Sequence, residues 1–358
     1  MINKQRSDVW HWFSHGHISP NDFKAAMSVA SPHPSIQQWR KLIGYLLLYL
    51  GVLLLSAGVI FFMAFNWNAL TNLTKFALVE SLLLLFIVGF YLFNRQQRKQ
   101  TTPKRVENHY GWTLANAMLL GASIMVGALL ALVGQTYQTG ADPWQLFATW
   151  ALLILPFAII AGFDLLWLLV LVLLNVSLVL YFRTFSGMFS FIFEDIEQIA
   201  VFAWCNLVMH GVFTALRRVK WAGQSHFCSP SVETTALFVS VFGLTWMMIW
   251  VVFEFKFNLR FACLGLFYLL TMAGVFGWYR YRLPTLYPLT LVLISLSAVI
   301  IGLLSRGLLD SNDPVGGFFM LAMVVVGLTS GCLIWLKQLQ KLFIEMACVD
   351  TEVTRHEP

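Results

Sequence analysis

The sequence predicts an all-α fold: a polytopic transmembrane helix bundle of about ten spans behind a short cytoplasmic helical hairpin. Three observations predict it. Hydrophobic residues make up 59% of the 358-residue chain and charged residues only 11%, where a soluble domain carries about 25% charged residues. The charges fall in short clusters between apolar runs, each close to the ~20 residues a helix needs to cross ~30 Å of hydrocarbon. Basic residues then alternate from loop to loop in the way that sets membrane orientation. Backbone groups in lipid must pair within the protein, and the period-two alternation of a barrel is absent, so the spans are read as helices.

Residues 1–41 read as a cytoplasmic helical hairpin and linker. A first helix over roughly Lys4–His15 carries Val9, Trp10 and Phe13 at helical spacing, and Gly16 suits its end. Ser19-Pro20-Asn21-Asp22 then looks like a fresh start, with Ser19 as cap, Pro20 in the first helical position, and Phe23 and Met27 as an apolar edge. Ser31-Pro32-His33-Pro34 ends the second helix. A polar segment of this length ahead of the first apolar run does not read as a cleavable signal peptide.

The transmembrane bundle occupies 42–336, with spans at about 42–65, 76–93, 114–133, 146–162, 165–182, 199–216, 234–253, 261–278, 284–304 and 317–336, followed by a cytoplasmic tail, 337–358. Only Gly162-Phe163-Asp164 separates spans four and five, and a re-entrant hairpin is the alternative there. With the N-terminus inside, eighteen lysines and arginines lie on the inner side and five (Lys75, Arg183, Lys256, Arg260 and Arg306) on the outer. That bias points to an even number of crossings, both termini cytoplasmic, in a bacterial inner membrane. Trp67, Trp144 and Trp250 fall near outer interfaces and Trp39, Trp221 and Trp278 near inner ones, where amphipathic rings favour the headgroup level.

The densest local motif is Gly134–Trp150, GQTYQTGADPWQLFATW, between spans three and four. A hairpin of Trp12, Gly16, Ile18 and Ser19 followed by this GQxYxxGADPWQLF-type loop resembles an uncharacterised bacterial family of predicted membrane proteins, domain of unknown function 2157, over roughly the first 180 residues. The resemblance implies an inner-membrane location. It implies no activity and no functional residues.

Several polar groups stand out. In the loop, Gln135, Tyr137, Gln138, Thr139 and Asp142 offer donors and acceptors, while Gly134 and Gly140 permit unusual backbone angles. The same residues equally suit a structural turn in which Asp142 caps span four and Trp144 anchors it. Glu80 lies inside span two, and intramembrane carboxylates often mark ion or proton pathways; solvation near the interface is its plain alternative. Asn206 and His210 are four apart on span six, with Asn175 deep in span five. A proton relay or an interhelical hydrogen bond would each use them. Asp164 reads as a helix cap. Glu194, Asp195 and Glu197, with Asp310 and Asp313, read as an acidic outer face. His11 and His15 have chelating spacing, but no acidic or cysteine partner completes a metal set. Gly327–Gly331 and Ser123–Gly127 are small-residue pairs suited to close helix approach within the chain.

The five cysteines form no CxxC pair, and no metal site or cofactor is expected. The net charge of +6 flanks apolar segments, so it does not signal nucleic acid. Phosphate-binding glycine loops, HExxH and GxSxG are absent, and no enzyme is expected. Two functions lead: a transporter of a small solute or lipid-related molecule, or a scaffold or sensor whose hairpin or outer loop binds a membrane protein partner; a motif-poor intramembrane enzyme is a distant third. Five plus five spans also give the parity of an inverted repeat.

Overall fold

The computed structural model describes residues 9, 12–13, 17–19, 22–30, 36–99, 112–185, 195–218, 230–254, 259–309 and 314–353. Most of the Lys4–His15 helix, His11, His15, His33, Glu194, Asp310 and Asp313 lie outside them. Every described element is helical: α1 (Phe23–Ala30), α2 (Ile36–Phe65), α3 (Asn72–Lys99), α4 (Leu114–Tyr137), α5 (Pro143–Ala161), α6 (Asp164–Thr184), α7 (Asp195–Arg218), α8 (Pro230–Glu254), α9 (Leu259–Gly277), α10 (Leu286–Leu309) and α11 (Pro314–Val353). Among the described residues, ten helices are long and apolar enough to cross a membrane. The chain is therefore an all-α polytopic membrane protein.

The local starts and stops have identifiable causes. Ahead of α1, the Ser19 hydroxyl accepts from the Asp22 amide at 3.3 Å and donates to the Asp22 carboxylate at 2.8 Å. Phe13 packs on Phe23 with ring centroids 4.3 Å apart, joining the two arms of the hairpin. Between α5 and α6 the chain turns in two residues. Gly162 takes a left-handed conformation, φ 54°, which glycine adopts without steric cost, and closes α5 onto the Ala158 carbonyl. Phe163 is fully buried there and stacks on Tyr49 of α2 at 5.4 Å. The two helices have 19 and 21 residues, about 28 and 31 Å at ~1.5 Å per residue. Each is long and apolar enough to cross the hydrocarbon by itself. Asp164 is the first residue of α6 rather than its cap, and its Oδ2 accepts from Ser231 Oγ at 2.9 Å.

The bundle has two apolar cores. One fills α2 to α6 around Met125, Ile154 and Leu166 and takes in Phe213 of α7 and Val232 and Ala236 of α8, and the other fills α7 to α11 around Leu244, Met247 and Tyr268. In the first half α4 is central and touches α2, α3, α5 and α6; in the second half α8 is central and touches α7, α9 and α10. The third helix organises one half and the second helix the other, so the packing does not follow the inverted repeat that the span count allows. The halves meet where α6 lies against α7 and α8.

Two of the three tightest glycine contacts lie on α4. A Cβ on Gly127 would sit 2.3 Å from the Trp150 ring, and one on Gly121 would sit 2.7 Å from Phe86. The Trp150 indole donates to the Ser123 carbonyl at 2.8 Å. Ser123–Gly127 is thus a close-approach site within the chain. Gly327 and Gly331 on α11 differ: nothing lies within 4 Å of a Cβ on either. α11 packs chiefly on α10, meets α9 where Trp335 stacks on Phe276 at 5.8 Å, and presents Phe318, Phe319, Met323 and Ile334 outward, as a helix bathed in lipid does. Gly327→Leu is accordingly expected to shift the melting temperature in detergent by no more than a degree or two, since it meets open space.

Candidate functional site

The region richest in buried polar groups lies in the second half, between α7 and α9. Both helices rest on α8 and leave a groove between them, a cavity of about 690 Å³. Its walls are Trp204, Leu207, His210, Gly211, Thr214 and Ala215 on one side and Phe267, Leu270, Thr271, Gly274, Val275, Trp278 and Tyr279 on the other. Gly211 and Gly274 face each other's wall with open space beyond the Cβ position, which gives the groove its width. Trp204 and Leu270 are exposed at its rim. In a membrane-spanning bundle an exposed rim at this depth opens sideways to lipid.

The groove is tied shut at one end. Arg260 at the start of α9 grips Glu197 at the start of α7 through two hydrogen bonds, 2.5 and 2.6 Å. Two turns deeper, Trp204 lies against Phe267 with centroids 5.5 Å apart and donates Nε1–H to Thr271 Oγ1 at 3.3 Å. The floor is His210. Its Nδ1 lies 2.8 Å from the Glu233 carbonyl and its Nε2 2.5 Å from the Tyr279 hydroxyl. A carbonyl only accepts, so Nδ1 carries the proton, and in the neutral ring Nε2 accepts from Tyr279. Tyr279 comes inward because α9 ends in a π-helical turn, Trp278–Arg282, closed by Leu283 N–H on the Trp278 carbonyl. Such wide turns recur at functional sites, and here Pro284 follows and stops the helix.

Glu233 holds α7 a second time, through its carboxylate on Arg217 Nε at 2.9 Å. Arg217 is two-fifths exposed, so this pair is worth less than about 1 kcal/mol. Glu233→Gln keeps the backbone carbonyl that receives His210 and is expected to lower the melting temperature only slightly, a comparison that circular dichroism in detergent can make.

Asn206, four residues before His210, serves a different joint. It is fully buried and its Nδ2 donates to Asn175 Oδ1 on α6 at 2.6 Å and to the Phe202 carbonyl at 3.0 Å. Asn175 in turn donates to Leu171 O at 2.8 Å. Asn206 Oδ1 is buried without a hydrogen-bond partner. The amide pair pins the two halves together, and Asn206→Leu is expected to cost about 1 kcal/mol, read as a lower melting temperature.

The structure does not gather the other sequence candidates. Glu80 is exposed on α3. That helix turns Lys75, Val79 and Phe86 inward, and Glu80, ~100° around from Val79, faces away. α3 touches α2 and α4 and does not reach α7, so Glu80 and His210 are not brought together. Gly134–Trp150 is a joint between α4 and α5. Gln138 takes a left-handed conformation and its N–H bonds the Gly134 carbonyl; Gly140 also has positive φ. Gln135, Tyr137, Gln138 and Thr139 are exposed and do not converge; Tyr137 packs its ring toward Phe76 at 6.1 Å. Asp142 stands at the cap position of α5 without a capping side-chain bond, and Pro143 opens the helix. Trp144 is held by Tyr181 in an edge contact at 5.2 Å and offers its carbonyl to Ser177 at 2.9 Å. Sequence reading passed over Trp204, Glu233, Thr271 and Tyr279. The available signal was the pair of groove glycines, Gly211 and Gly274, but neither is flanked by a motif.

Fold and groove together define a polytopic helical membrane protein with a lipid-facing cavity in its second half. Residues 11–167 match the model of a family described as Predicted membrane protein (DUF2157). The match runs from the hairpin into α6, contains Gly134–Trp150, and ends before the groove. No curated protein and no solved structure matches the chain.

Proposed function

We propose that the protein transports a small lipid-related molecule across the bacterial inner membrane, and that the α7–α9 groove is where this molecule enters from the bilayer. The carrying observation is the groove itself: about 690 Å³, open at its side, with two glycines keeping it clear. Ligand sites run from about 300 to 1,000 Å³ and are mostly apolar, and this lining is mostly apolar too, with Leu207, Phe267, Leu270 and Val275 among its residues. The eighteen-to-five distribution of basic residues supports an orientation with both termini cytoplasmic. The role is binding and movement rather than catalysis.

The test is to fill the groove. Gly211→Leu with Gly274→Leu adds side chains where a Cβ meets open space, so the fold should survive. The double variant is expected to accumulate normally and to fail to complement the phenotype of a deletion strain. Full complementation by a normally accumulating variant would remove the basis for this reading. If instead deletion of residues 1–30 abolishes complementation and co-purification of a partner protein while the groove variant works, the scaffold reading takes its place.

A further inference from the structure

We infer that the groove holds the hydrocarbon chain of an anionic amphiphile, with its headgroup at the Arg217–Arg282 end; this rests on the groove being the site proposed above. Three features of the groove lead there.

The first is length. From Trp204 to Ala215 the wall takes in twelve residues of α7, about 17 Å from first to last at ~1.5 Å per residue. The facing wall, Phe267 to Tyr279, is of similar length. That is about half of a ~30 Å hydrocarbon core, one leaflet. The groove fills the C-terminal half of α7 and stops two residues short of Arg217, so it follows the chains of one leaflet rather than crossing both.

The second is hydrogen bonding. Apart from Trp278, exposed at the basic end, the polar side chains in the wall have partners inside the protein. Trp204 donates to Thr271, Thr271 to the Phe267 carbonyl, Thr214 to the His210 carbonyl, and His210 is engaged at both nitrogens. A polar solute entering here would lose its hydration and find these groups taken, at a cost of ~1–3 kcal/mol for each group left unpaired. A hydrocarbon chain loses nothing and gains from contact with Leu207, Phe267, Leu270 and Val275.

The third is charge. At the end where the groove stops, Arg217 is two-fifths exposed, Arg282 is exposed on the π-helical turn, and Arg280 stacks over Phe343 at 5.6 Å. Among the described residues, one carboxylate, Glu233, is paired there, with Arg217. Basic pockets between spans favour anionic headgroups, and Arg presents a planar fork to phosphate. At the closed end the arginine, Arg260, is paired bidentately with Glu197. The two ends therefore differ in what they offer an anion.

The test uses the full chain in nanodiscs of phosphatidylcholine alone or mixed equally with phosphatidylglycerol, released into detergent and weighed by native mass spectrometry. Wild type is expected to retain phosphatidylglycerol in preference to phosphatidylcholine. Arg280→Gln with Arg282→Gln should keep lipid retention and lose the preference, on the order of fivefold for each arginine removed. Gly211→Leu with Gly274→Leu should lose the retained lipid altogether. Groove-dependent retention without headgroup preference overturns the anionic assignment. Retention that ignores the groove variant overturns the chain assignment. Both of these outcomes leave the transport proposal standing, which fails separately if the groove variant complements the deletion strain.

Discussion

Gly127→Leu is expected to remove most of the folded protein. The ideal Cβ alone would lie 2.3 Å from the Trp150 ring, a distance at which Trp150 has to leave its place. Leaving breaks its hydrogen bond to the Ser123 carbonyl, 2.8 Å, inside the contact of α4 with α5. Overpacking costs about 1–3 kcal/mol and the lost hydrogen bond about 1 kcal/mol more, so the sum is a large fraction of a typical folding free energy of ~5–15 kcal/mol. α4 is the helix that α2, α3, α5 and α6 all touch, and little else in the first half can compensate. Size-exclusion chromatography in detergent should show loss of the monodisperse peak, with Gly327→Leu on exposed α11 as the matched control. A Gly127→Leu protein that elutes and melts like wild type would mean that α4 and α5 do not pack as described.

The second large effect is expected at His210. This side chain joins three helices: it belongs to α7, bonds the Glu233 carbonyl on α8 and receives the Tyr279 hydroxyl from the end of α9. His210→Leu leaves the Tyr279 hydroxyl without this partner in a buried setting, at about 1–3 kcal/mol. It also puts a branched side chain into the groove floor. Both stability and groove function are expected to fall, with a drop of several degrees in melting temperature. Tyr279→Phe removes the hydroxyl as well and spares the groove its extra bulk. It should therefore restore much of the stability to a His210→Leu background, because an apolar pair replaces a broken polar one. If the two substitutions are simply additive, the two side chains are not coupled.

The fold was legible because its signal is local. Span length, apolar content and the spacing of basic clusters are read from consecutive residues, and the ten helices follow them closely; even the two-residue corner at Gly162-Phe163 is announced by a glycine at a helix end. Burial direction was less legible. Glu80 reads as intramembrane from its position in a run, but its facing is set by the register of Lys75, Val79 and Phe86 against α4, and in an almost uniformly apolar helix the amphipathic stripe that would reveal that register is faint. Asn206 and His210 share a helix and were grouped for that reason, but the structure sends one to α6 and the other to α8 and α9. His210 meets Tyr279 across 69 positions, a separation that no spacing rule reaches. Tyr279 itself turns inward only because α9 widens into a π-helical turn, and its neighbours in Trp278–Arg282 read simply as an interfacial anchor. Gly134–Trp150, conspicuous in sequence, is a joint whose amides face outward: a left-handed Gln138 and Gly140 followed by Pro143 need that composition to turn the chain between two spans.

The most direct measurement is to equip phosphatidylglycerol with a photoreactive group on its acyl chain, reconstitute the full chain with it, illuminate, and map the modified residues. Label is predicted to concentrate on 204–215 and 267–279, to be competed away by unlabelled phosphatidylglycerol, and to vanish from both segments in Gly211→Leu with Gly274→Leu. Label spread evenly over the outward faces of α2, α3 and α11, and unaffected by competitor, would contradict a groove built to hold a lipid chain.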